Sequence, residues 1–154
     1  MSDARFEGAP SQTRLNLKAF DKEDLQVISA LCQDAVIPVS EMAYYAVDKQ
    51  FACLINRFRW EADVKTPERV QSVLLFNCVD KVITSGIESG DKNQVLSLMS
   101  IALHAGQKPS GQILLTFAGH GEVSLSVECP EIILRDVTRP YRAPSRQMPK
   151  HKLF

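Results

Sequence analysis

The chain has 154 residues, 45% of them hydrophobic and 23% charged. That length suits one domain with a real core and is short for two, and the balance is that of an ordinary globular protein. Lys plus Arg equals Asp plus Glu at 18 each, but five basic and no acidic residues follow Val137, leaving 13 basic against 18 acidic before it, which argues against nucleic-acid binding by the folded part.

Residues 1–14, MSDARFEGAPSQTR, lack the apolar centre of a signal peptide. No apolar run approaches the roughly 18–20 residues needed to span a bilayer. Cys32, Cys53, Cys78 and Cys129 lie far apart, with no C-x-x-C and no histidine at a ligand spacing. These features predict a cytoplasmic protein with reduced, buried thiols, no metal, no cofactor and no membrane partner.

Residues 1–13 are small and polar and are expected to form a flexible N-terminal arm. Leu15, Leu17 and Ala19 alternate with Arg14, Asn16 and Lys18, the pattern of a strand with one buried face. Asp21 is placed to cap a helix, with Glu23 and Asp24 complementing its dipole. Leu25, Ile28, Leu31, Cys32 and Ala35 recur at helical spacing, and Pro38 marks the expected break.

Two strands follow, 41–47 and 50–60, around a turn at Asp48–Gln50. In the second, Phe51, Cys53 and Ile55 share one face and Ala52 and Leu54 the other, which predicts a central strand covered on both sides. Beyond Ile55, Arg57, Arg59 and Glu61 share a face on which the strand is expected to run out of cover.

A polar loop at 62–70 leads to a long β-type stretch, 71–86, whose change of phase around Asn77–Asp80 indicates a bulge or corner. A turn at 88–93 precedes a strand at 95–104. The hairpin 112–129 reads with Phe117 opposite Val123, Leu115 opposite Leu125 and Ile113 opposite Val127, leaving Gly119, His120 and Gly121 as the loop. Residues 131–137 read as a short strand or helical turn, and 138–154 as a basic, Pro-rich tail outside the single domain 14–137.

The expected fold is α+β. About seven to nine strands form a mainly antiparallel sheet, curled or partly closed into a barrel of pleckstrin-homology-like character, with one N-terminal helix. A two-layer sheet–helix arrangement is the alternative.

No nucleotide loop or nucleophile elbow is present. His120 reads as a turn residue, and His104 lacks partners at metal-ligand spacing. The run Arg57–Phe58–Arg59–Trp60–Glu61 is the leading candidate site. Its two arginines are suited to gripping a carboxylate or phosphate, with Tyr44 or Tyr45 on the neighbouring strand, and the competing reading is an Arg–Glu surface pair beside a Phe/Trp core.

The stretches LKAFDKEDLQVISALCQDAV, FACLINRFRWE, and SLMSIAL followed by GQILLTFAGHGEVSLSVECPEIILRDV resemble a family found in alphaproteobacteria, domain of unknown function 2948. The resemblance covers most of Leu15–Val137. It implies a bacterial cytoplasmic protein, transfers no catalytic residues, and adds weight to Gln33, Asp34, Asn56, Arg57, Trp60 and Glu61 as a set. The functional expectation is a non-enzymatic binding or interaction module that takes a protein or small anionic ligand at Asp34, Tyr44, Asn56, Arg57, Arg59, Trp60 and Glu61. The alternatives are a small enzyme with an acid–base site drawn from Asp34, Arg57, Glu61 and His104, and weak RNA binding through the basic tail.

Overall fold

The computed structural model describes residues 14–62, 67–88, 91, 93–107 and 109–142. The expected N-terminal arm, and the tail beyond Arg142, lie outside the described residues.

The first strand, β1 (Asn16–Ala19), buries Ala19 and half-buries Leu17, as its alternation requires. Asp21 accepts a hydrogen bond from the Asp24 amide at 2.8 Å and opens α1 (Lys22–Leu31), which buries Leu25 and Ile28. The helix ends well before Pro38. Asp34 takes a left-handed φ of 64°, and the chain turns into β2 (Val36–Pro38), which lies between two other strands. The break is set by this pairing, since the Asp34 amide donates to Leu98 O and the Leu98 amide to Ala35 O, each at 2.8 Å.

A 3-10 turn at Val39–Glu41 leads to β3 (Met42–Tyr45) and β4 (Gln50–Phe58). Next come β5 (Glu68–Phe76), β6 (Val79–Ser85), β7 (Val95–Ala105), β8 (Gly111–Phe117), β9 (Glu122–Val127), β10 (Ile132–Asp136) and β11 (Tyr141–Arg142). The strand order is β1-β10-β5-β4-β2-β7-β8-β9-β6, with β3 paired to β4 and β11 to β5. Every pairing among the described residues is antiparallel.

The sheet is not closed: β1 and β6 are its two ends. The chain crosses between the limbs of the sheet twice, at Asn77–Cys78 and at Glu128–Glu131. The two crossings are stitched together by Asn77 N to Glu131 O (2.9 Å) and Glu128 N to Cys78 O (3.0 Å). Cys78 makes its corner at φ 60°, where the sequence changes phase. Helix α1 packs on β7 and β1, and the core lies beneath it, with Phe51, Leu74, Phe76, Leu115, Phe117 and Leu125 all buried.

The hairpin register and the chain after Val137 differ from the sequence reading, and β7 adds a bulge. The β8–β9 hairpin pairs Ile113 with Leu125 and Leu115 with Val123, a shift of two residues that keeps the same face buried; the Phe117 amide donates to Gly121 O at 2.9 Å, so the loop is Ala118, Gly119 and His120 in place of Gly119–Gly121. In β7 a register shift between Leu98 and Ser100 moves the buried phase from Leu96 and Leu98 to Ile101. Residues 138–142, assigned to the tail, stay on the sheet: Thr138 Oγ1 accepts from the Gln71 amide at 3.0 Å, and Tyr141 and Arg142 pair with Arg69 and Glu68.

Candidate functional site

Strand β4 divides the expected site residues between two environments. Phe51, Cys53, Ile55 and Arg57 point into the buried face, while Ala52, Leu54 and Asn56 are half-buried on the other.

Arg57 is fully buried, at 0% exposure. The expectation of an uncovered charged face is therefore corrected: β5, β10 and the chain after β4 supply its cover. The guanidinium donates from Nε to Ser72 Oγ (3.1 Å) and from Nη1 to Phe58 O (3.2 Å) and Glu61 Oε1 (2.9 Å). Nη2 donates to Glu61 Oε2 (2.9 Å) and to Asp136 Oδ1 (3.0 Å) and Oδ2 (3.2 Å). Asp136 also accepts from Ser72 Oγ (2.7 Å) and from the Leu15 amide (2.9 Å).

This network ties the edge of β1 to β4, β5 and β10. All three nitrogens of the guanidinium are engaged internally, so Arg57 is not poised to grip a ligand anion. Burial works against the charge on Arg57, but Glu61 and Asp136 outweigh it and raise its pKa. Burial likewise opposes ionisation of Glu61, yet the hydrogen bonds and charge of Arg57 prevail and hold its carboxyl below the ordinary value.

Arg59 is also buried. Its Nη1 donates to Glu68 Oε1 at 2.5 Å, and its Nε lies 3.9 Å from Glu61 Oε2. Tyr44 is not part of this group. Its hydroxyl donates to Val79 O at 2.8 Å, and its β4 partner is Phe51, six positions and about 20 Å along the strand from Arg57.

On the opposite face of β4 a second cluster forms around an arginine that the sequence reading passed over. Arg69 lies across from Phe58 in β5 and sits 3.9 Å above its ring. Its Nη1 donates to Asn56 O (3.1 Å) and Asn56 Oδ1 (2.8 Å). Asn56 Nδ2 in turn donates to the hydroxyl of Tyr141.

The Trp60 ring rests against Phe58 with centroids 5.8 Å apart, and its Nε1 donates to Gln33 O at 3.0 Å. Burial lowers the pKa of Arg69, and the Asp34 carboxylate acts in the other direction. Phe58 is the buried floor of this cluster, and Trp60, Asn56, Arg69 and Tyr141 are its accessible members. Arg69 and Tyr141 are detectable only from strand register, because neither belongs to a local motif.

The four residues considered for acid–base work do not meet in one cavity. Arg57 and Glu61 share the buried network, and Asp34 acts on Arg69 across the outer cluster. His104 lines a separate cleft of about 700 Å³ with Phe20, Leu103, Pro109 and Pro130 at the start of α1.

A model of the family described as protein of unknown function (DUF2948) matches residues 15–151. The chain belongs to this family. No curated protein and no solved structure matches it. The DUF2948 match takes in both clusters on β4 and also β11, which carries Tyr141. No helix among the described residues is long and apolar enough to cross a membrane.

Proposed function

We propose that this DUF2948 protein is a non-enzymatic interaction module of the bacterial cytoplasm, with its contact surface on the outer cluster of β4, β5 and β11. The observation that carries this reading is the continuous chain of contacts Trp60–Phe58–Arg69–Asn56–Tyr141 on one side of the sheet. Tryptophan, tyrosine and arginine are enriched among the residues that carry binding energy at protein interfaces, and the two aromatic side chains bring large area and hydrogen-bonding tips with few rotors to freeze. Here those side chains are already held by one another, so little ordering remains for a partner to impose.

The buried Arg57 network serves this surface as a support, fixing β4 against β5 and β10 beneath it. A protein partner fits the patch better than a small anion, since Arg69 is already engaged by Asn56 and the Phe58 ring. The pleckstrin-homology-like reading belongs to this proposal: a curled antiparallel sheet carrying one helix offers broad faces for recognition.

The test is site-specific photo-cross-linking in cells, with a benzophenone side chain at Tyr141 (38% exposed) and, as control, at Val47 (97% exposed). A discrete cross-linked protein at position 141, absent at 47 and lost on Arg69→Glu, is the expected result. Equal background at both positions overturns the choice of surface. A metabolite that raises the melting temperature of the wild type, but not of His104→Ala or Glu61→Gln, favours the enzyme alternative instead.

A further inference from the structure

Cys78 and Cys129 are 51 positions apart in sequence, yet the two thiols meet at the corner where the chain crosses between the limbs of the sheet. Cys129 Sγ lies 3.4 Å from Cys78 Sγ, and the Glu128 amide donates to Cys78 O at 3.0 Å, so backbone and sulfurs are adjacent together. Both are free thiols and both are partly accessible, whereas Cys32 and Cys53 are buried. We propose that Cys78 and Cys129 form a dithiol modification site that hydrogen peroxide converts to a disulfide, locking the β5–β6 crossing to the β9–β10 crossing.

The chemistry balances with the peroxide as the only co-reactant. One sulfur, as thiolate, attacks the O–O bond and becomes a sulfenic acid, and the other oxygen leaves and is protonated to water. The second sulfur displaces the sulfenic oxygen, which leaves as a second water. The two sulfurs give up two electrons to the peroxide, and the two thiol protons end in the two waters. The sulfurs, 3.4 Å apart, have about 1.4 Å to close to a bond of about 2.0 Å, and the backbone hydrogen bond from Glu128 to Cys78 holds the two segments side by side while they do so.

The surroundings select the oxidant. Glu128 and Glu131 lie within electrostatic reach of Cys78, and the contact with Cys129 followed by burial pushes the Cys78 thiol up to about 11. Lys49 is committed to Glu128 at 2.9 Å and to Asp80 at 3.1 Å, so its charge is spent on neighbouring carboxylates rather than drawing an anion to the sulfurs. An anionic oxidant such as oxidised glutathione is repelled there, and an uncharged peroxide is not.

The full chain is treated with hydrogen peroxide or, separately, with oxidised glutathione, then alkylated and digested for mass spectrometry. With peroxide, two of the four thiols are expected to be lost, with a mass decrease of about 2 Da, a peptide linking Cys78 to Cys129, and full reversal by dithiothreitol. Loss at this pair should be at least about ten-fold faster than at the buried thiols. The oxidised wild type should melt above the reduced protein, and Cys129→Ser should give no intramolecular link. A link through Cys32 or Cys53, irreversible sulfinic acid at Cys78 in place of the link, or faster reaction with oxidised glutathione than with peroxide overturns the proposal. So does an oxidised protein that melts below the reduced one.

Discussion

Replacing Arg57 by methionine tests whether the buried network is as closed as its geometry implies. Methionine fills much of the same length but removes all six hydrogen bonds of the guanidinium. Glu61, at 27% side-chain exposure, can recover water; Asp136, at 1%, cannot, and keeps only Ser72 and the Leu15 amide around an uncompensated charge. Breaking a buried pair from one side costs about 3–5 kcal/mol. That is a large share of the roughly 5–15 kcal/mol by which a domain is stable, and for a chain of this size it lowers the melting temperature by about 6–20 °C. Urea unfolding at neutral pH measures the loss directly. The double variant Arg57→Met/Asp136→Leu should recover about 1–3 kcal/mol, because the stranded carboxylate is gone and only the Ser72 hydroxyl and Leu15 amide lose partners. A single variant within about 1 kcal/mol of the wild type would show that water reaches the guanidinium and refute the buried network. A double variant no better than the single would show that Asp136 is not the stranded group.

Arg57 depresses the Glu61 pKa below its ordinary 4.5, so the stabilisation is present above that pH and is lost as pH falls through the folded value; Glu61→Gln should lower the urea midpoint near neutrality and flatten the acid limb of the stability profile. Gly86 sits at φ +73° where a Cβ would strike the carbonyl of His120, whereas Gly119, at φ +89°, faces open space. Gly86→Ala should therefore destabilise by about 2–3 kcal/mol and Gly119→Ala by about 1 kcal/mol, read by thermal melting. Truncation after Val137 removes Thr138, β11 and the Tyr141 contact to Asn56, so it should melt lower than truncation after Arg142 by about 2–6 °C at moderate salt; equal melting of the two would mean that β11 adds nothing to the fold.

The elements legible in the sequence are those specified by neighbours in the chain. The Asp21 cap, the helical stripe through Leu25 and Ile28, the alternation into Ala19 and the corner at Asn77–Cys78 each depend on a few consecutive residues, and each is present in the fold. The hairpin register is different in kind. Alternation has a period of two, so pairing Leu115 with Leu125 or with Val123 buries the same side chains, and only the loop geometry decides between them. The end of α1 before Pro38 is likewise set from a distance, because strand β7 claims the Asp34 and Ala35 backbone. The meeting of Cys78 with Cys129 has no local signal at all.

The two β4 clusters show where residue type and residue phase give opposite readings. Arginine is a surface residue by type, since a desolvated guanidinium is expensive. By phase, Arg57 continues the buried series Phe51, Cys53, Ile55, and Asp136 continues the buried series Ile132, Leu134. Two opposite charges, each ending an apolar alternation in its own strand, can be buried only if the strands bring them together. They are separated by β5, and Ser72 on that strand bonds both. Phase therefore carries the information and type misleads, because the cost of burial is offset by a partner 79 positions away that no local window contains. The same offset frees the outer face. With Arg57 closed off by Glu61, Asp136 and Ser72, the arginine on the outer face is Arg69, held by Phe58 and Asn56 beside Trp60 and Tyr141.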